Sequence, residues 1–422
     1  MKTKIFRPPK RKSKRGRFYA ILAIAFVFLS CFYGKIDIAN GFKFYPDIAC
    51  AEDESEKELE KQLGDEIDKQ LSNLDFQEIE NVVAKLTETS KELFDSNSFV
   101  DKLRCVMSGE YIEDSQSFFS AVLSIFWEGL KDYMPIIASI ISISILGGMV
   151  SNLKPMTNGK SIGNIIHFVT YGIVIIFLGT SLVQIIKITT TTLTTIKNMY
   201  DGIFPILLTL LTAVGGTVSV GIYQPAIALI SNLVVSLITC ILLPMFIFSM
   251  VFSIVGNLSN NIKLDKFVSF LQSAFKWTIG LCFTIFLGFV SIQGVMAGAV
   301  DGLSIRTAKY AIKSYVPIVG GYVSDGLSII MASSVLIKNA IGGVGLFLLL
   351  STIISPVLNL VIFMFSLKFM SAIIEPIGDK KSANFISDLS KSLSLLVALL
   401  VAVAFMYLVL TGLIMCSANL VT

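Results

Sequence analysis

Charge is scarce in this chain: 15% of its 422 residues are Asp, Glu, Lys or Arg, while 54% are hydrophobic and mean hydropathy is +0.76. A soluble enzyme of that length could not clothe its surface with so few charges, so the lipid bilayer is part of its solvent. Histidine is almost absent. The one residue, His167, lies in an apolar run, where a packed, hydrogen-bonded imidazole is a simpler reading than a ligand. The six cysteines, Cys31, Cys50, Cys105, Cys240, Cys282 and Cys416, show no metal-ligand spacing. Cys105 stands alone in the exported segment, which argues against an internal disulfide framework there. No GxxxxGK[ST] loop or nucleophile elbow occurs. Gly342-Gly343-Val344-Gly345 follows no strand, so close helix packing explains it better than nucleotide binding. These absences argue against an enzyme, a cofactor and a metal, and any energy source would be external.

Such charge as exists is clustered. Nine Lys and Arg residues crowd the first seventeen positions, and a mostly apolar run over 18–33 follows them. That order matches the n-region and h-region of a secretory signal, not a nucleic-acid patch, and it leaves the head cytoplasmic with the downstream chain exported. Ala49-Cys50-Ala51 before Glu52 resembles a small-residue cleavage site, so residues 1–51 read as a basic head and signal, either cleaved or kept as an anchor. Asp47 stands where a lipoprotein signal wants an aliphatic residue, which argues against lipidation of Cys50.

Residues 52–133 read as an exported helical arm. Leu59, Leu63, Ile67, Leu71 and Leu74 recur at three- and four-residue steps, and a second helix runs through Ile79, Val82, Val83 and Leu86. The arm is too short for a large core, so its apolar stripe is expected to pack on itself or on a partner. From 134 onward the pattern predicts an all-α polytopic membrane protein, with spans near 134–152, 162–187, 222–256, 275–300, 340–370 and 393–416. Two further apolar segments, 203–220 and 315–337, begin near Pro205 and Pro317 and carry glycines or polar residues, as broken or re-entrant helices do.

The prolines also point to an internal repeat. Pro205 and Pro317 are 112 residues apart, and so are Pro244 and Pro356, two hinge candidates inside the long apolar runs. Lys266-Phe267-Val268-Ser269-Phe270-Leu271 parallels Asn384-Phe385-Ile386-Ser387-Asp388-Leu389. The chain therefore divides into first membrane helices (134–200), membrane repeat 1 (201–300) and membrane repeat 2 (313–422), an arrangement common among transporters. If 203–220 and 315–337 are re-entrant, the two repeats run parallel; if those segments span fully, the second copy is inverted.

Specific similarity begins at Ser291-Ile292-Gln293-Gly294, Asp301-Gly302 and Arg306-Thr307-Ala308-Lys309, and continues through Pro317-Ile318-Val319-Gly320 and Leu336-Ile337-Lys338-Asn339. In this order and spacing, with Gln224-Pro225 and Pro244 upstream, the chain resembles the stage III sporulation protein AE family. Its long basic head and extended signal region depart from that pattern. The resemblance implies a multi-pass component of the mother-cell membrane surrounding the forespore. There it would work with other sporulation stage III membrane proteins, an associated ATPase and a forespore partner protein, as part of a channel or secretion-like apparatus.

Five polar residues in the apolar half are candidates for a polar path. Gln293, on a span that ends in glycines, either lines that path or hydrogen-bonds a neighbouring helix. Asp301 and Arg306 form either a charged mouth or an ordinary solvated loop. Asp325 interrupts an apolar segment, with Lys338 thirteen residues on. The pair either shares a polar cavity or divides into a helix N-cap and a snorkelling lysine. Three functions stay open on these residues: a conduit subunit of the apparatus, a secondary transporter moving a small solute through the repeat interface, and a non-conducting assembly scaffold.

Overall fold

The computed structural model describes residues 54–94, 98–108, 115–152, 160–258, 264–315, 320–377 and 380–417, and every regular element among them is helical. The signal and the hinge candidate Pro317 lie outside the described residues.

Four short helices make the arm: α1 (Glu54–Ser72), α2 (Gln77–Ala84), α3 (Glu88–Phe94) and α4 (Phe99–Ser108). Polar side chains set their starts. The Asp75 carboxylate accepts from the Gln77 amide at 2.9 Å, and Thr87 Oγ1 accepts from the Ser90 amide at 3.3 Å. Glu80 on α2 accepts from both Ser98 Oγ (2.8 Å) and the Val100 amide (3.0 Å), so a carboxylate satisfies orphan donors at the start of α4 and ties the two helices together. Ile79, Val83, Phe94, Phe99 and Leu103 are fully buried, each worth roughly 1.5–3 kcal/mol. That burial is not achieved within the arm alone. α1 and α3 pack on α11, and α2 packs on α6.

Six long stretches are apolar enough to cross a membrane. α5 (Ser115–Asn152) and α6 (Lys160–Ala213) pair first. They approach closely at Gly147, where a Cβ would lie 2.7 Å from Thr170 Cγ2, so a small residue sets the spacing. After a turn at Gly215, whose φ of 91° suits glycine, comes an interrupted helix. It consists of α7 (Thr217–Leu229), α8 (Val235–Leu237) and α9 (Leu243–Leu258), separated by π segments at Ile230–Val234 and Ile238–Leu242. Pro244 lies two residues past the second π segment; its ring would clash with the carbonyl four residues back, at Cys240 inside that segment, and a widened turn there relieves the clash. α10 (Asp265–Tyr315), α11 (Gly320–Ile377) and α12 (Lys380–Cys416) complete the chain. The segments read as broken pieces, 203–220 and 315–337, are largely absorbed into the ends of long helices: 203–213, with Pro205, closes α6, and 320–337 opens α11, which also holds Pro356 farther along.

The hairpins α9–α10 and α11–α12 turn at the same end. Tyr171 touches both, donating its hydroxyl to Ile254 O at 2.9 Å and packing edge-on against Phe385 at 5.2 Å. The hairpins also interleave, with α9 against α12 and α10 against α11. Gln272 on α10 donates to Ser392 on α12 at 3.0 Å, joining the two hairpins.

Candidate functional site

Lys338 is where a charge enters the apolar body. It lies on α11, is 0% exposed, and its ammonium donates to the backbone carbonyl of Ser417, just past the last residue of α12. A helix C-terminus presents unsatisfied carbonyls and partial negative charge, so a cation is the complementary cap. Tyr223 from α7 reaches the same place, its hydroxyl 3.0 Å from Ser417 Oγ, and a Cβ at Gly342 would overlap Met415. Lys338 therefore does not snorkel; it fastens α11 to the end of α12.

Near this end of the bundle, aromatic rings fill the space between α6 and α12. Tyr200 and Tyr407 stack at 4.5 Å with 14° between planes, and Phe204 lies 6.2 Å from Tyr407. All three are buried.

The arm is clasped over the same half of the molecule. Gln70 on α1 donates through Nε2 to Ser333 Oγ at 3.0 Å and accepts through Oε1 from Ser334 Oγ at 2.9 Å. Lys102 on α4 is buried between the rings of Phe94 and Phe347, its ammonium 5.8 and 5.1 Å from their centroids, a cation–π seat that joins the arm to α11. Ile79 packs on Gly202 of α6, where a Cβ would meet Ile79 Cγ1 at 3.0 Å.

Among the five sequence candidates, only the side chain of Lys338 is described. Those of Gln293, Asp301 and Arg306 on α10, and of Asp325 on α11, lie outside the described residues, so their grouping with Lys338 remains a sequence-based reading.

A second polar feature escaped the sequence reading. Gln184, Lys187, Thr191, Thr194 and Asn198 are all exposed on α6, at three- and four-residue steps. The signal is the threonine-rich run between Ile188 and Ile196, broken by Leu193 alone. A hydropathy window hides it, because hydropathy falls after residue 187 and the predicted span stops there, whereas the helix runs on to Ala213.

The architecture defines an all-α, multi-pass membrane protein whose short helical arm is docked on its long helices. The model of the stage III sporulation protein AE family matches residues 96–418, and the chain belongs to that family. It is 25% identical to the stage III sporulation protein AE of Bacillus subtilis (strain 168) over 314 residues, which cover 74% of this chain and 79% of that protein. No solved structure matches it.

Proposed function

We propose that this sporulation protein is the membrane core subunit of a channel or secretion-like apparatus between mother cell and forespore. It would sit in the membrane around the forespore and work with other stage III membrane proteins, an associated ATPase and a forespore partner. Family membership over 96–418 carries this reading. The docked arm supports it, because a partner that grips the arm also grips α6 and α11. Gln293, Asp301, Arg306 and Asp325 supply polar groups for a path, and the chain acts without enzymatic chemistry of its own.

The test is complementation of a strain that lacks the chain. Wild type restores heat-resistant spores, and Asp325→Lys does not; heat-resistant spores in the uncomplemented strain would refute the assignment. Solute uptake by the purified protein in liposomes, without partners, would favour the secondary transporter. The Lys338–Ser417 fastening and the Tyr200–Tyr407 stack weigh against that alternative, since they fill space between helices that a solute would need.

A further inference from the structure

Depth along the bundle can be read from Tyr171, which contacts Ile254 and Phe385 and so marks one level on three helices. On the α9–α10 side the exposed surface stays apolar well above that level. Ile241 and Leu233, which are 47% and 55% exposed, lie 13 and 21 residues from Ile254. At about 1.5 Å per residue these are rises of roughly 20 and 31 Å, a full hydrocarbon thickness. Leu281 and Ile285 on α10 are exposed as well.

One face of the α5–α6 pair changes character about two-thirds of the way up, while Met134 and Trp127 stay exposed elsewhere on α5 at the same depths. On α6 the exposed large residues Phe168, Ile176 and Val183 are apolar, and from Gln184 onward the exposed row is Gln184, Lys187, Thr191, Thr194 and Asn198. Gln184 and Lys187 lie 13 and 16 residues beyond Tyr171, roughly 20 and 24 Å up. On α5, counting from the Gly147–Thr170 contact, Asp132, Lys131 and Glu128 fall roughly 22 to 28 Å up and are exposed. That contact also fixes rotation. With about 100° per residue, both polar rows turn to the same side of the α5–α6 pair, away from α11 and α12. Among the described residues, none of the side chains Glu128, Lys131, Asp132, Gln184 and Lys187 has a hydrogen-bond or ion-pair partner.

We infer that this α5–α6 face is one wall of a water-filled path whose opposite wall is the same face of a second copy of the chain. Lipid cannot cover it at a depth where α9 and α10 still present hydrocarbon-matched side chains, because unpaired carboxylates and amines there cost several kcal/mol each. Among the described residues none covers it from within, since α11 and α12 occupy the other faces of α6, and the Tyr200–Tyr407 stack fills the space behind. The face carries both signs, Glu128 and Asp132 against Lys131 and Lys187, so it complements itself across a two-fold axis. This inference rests on the conducting role proposed above and places the path between copies rather than inside one.

The experiment uses the full-length chain, depleted of its native cysteines, in membranes free of other sporulation proteins. Single substitutions Gln184→Cys and Thr191→Cys are compared with Ile241→Cys and Leu233→Cys, which lie at matching rises of roughly 20 and 30 Å on the other side. A charged, membrane-impermeant maleimide should label the first group roughly tenfold faster or more, since a thiol in apolar surroundings forms little thiolate. Thr191→Cys or Thr194→Cys should also cross-link copy to copy. Equal, slow labelling of both groups would overturn the water-filled wall, and labelling without copy-to-copy cross-links would overturn the second copy. Spore formation by Thr191→Trp/Thr194→Trp is read separately. If labelling and cross-links stand while these bulky residues leave spores normal, it is the conducting function that fails.

Discussion

The Gln70 clasp makes a measurable claim about how the arm is held. Replacing Gln70 with Leu keeps the stem and removes both amide atoms, so the bonds to Ser333 Oγ (3.0 Å) and from Ser334 Oγ (2.9 Å) are lost. Each such bond contributes about 0.5–1.5 kcal/mol net. Both serines are 0% exposed; Ser333 keeps its bond to Ile330 O at 2.9 Å, and Ser334 can turn its single hydroxyl proton wholly to Ile330 O at 2.7 Å, so neither hydroxyl is orphaned and the full desolvation penalty is avoided. The expected cost is about 1–2 kcal/mol, confined to docking of the arm. Hydrogen exchange of the protein in nanodiscs reads it directly. Local opening of α1 should become roughly tenfold more frequent, and amides of residues 67–72 should exchange faster by that factor while those of α12 do not change. In a double-mutant cycle, Gln70→Leu and Ser334→Ala should be non-additive by about 0.5–1 kcal/mol. Unchanged exchange in α1, or strict additivity, would show that the arm is held without the clasp.

Other substitutions probe the remaining joints. Gly147→Leu should force α5 from α6 at Thr170 and cost about 1–3 kcal/mol, seen as a lower midpoint in thermal unfolding in detergent. Lys338→Glu would set a carboxylate against the end of α12 and should cost about 3–5 kcal/mol, whereas Lys338→Met keeps the volume and should lose much less; equal midpoints for the two would refute the capping role. Tyr407→Ala should cost about 3–5 kcal/mol by emptying the ring stack, and Tyr407→Phe should stay within about 1.5 kcal/mol of wild type in the same assay.

Hydropathy alone disclosed the helical class and the polytopic character, because each depends on composition and spacing within a short stretch. The common offset of Pro244 and Pro356 and the paired Phe267 and Phe385 segments suggested a repeat from sequence alone, and Tyr171 contacts the ends of both hairpins. The arm helices were also legible from the steps of Ile67, Leu71 and Leu74, but their covering was not.

What covers a surface depends on contacts between residues far apart in sequence. Gln70 meets Ser334 across 264 positions and Lys338 meets Ser417 across 79, distances over which no periodicity carries information. For the same reason, sequence could nominate Lys338 as an unusual charge without deciding among pore, snorkel and helix cap. It could also show Gln184, Lys187 and the threonines as polar, while their depth relative to Ile241 and Leu233 needed the Tyr171 contact. The residues determined which segments are helical and which can enter lipid. Tertiary packing decided which faces remain open and at what depth, because depth and facing are properties of neighbours.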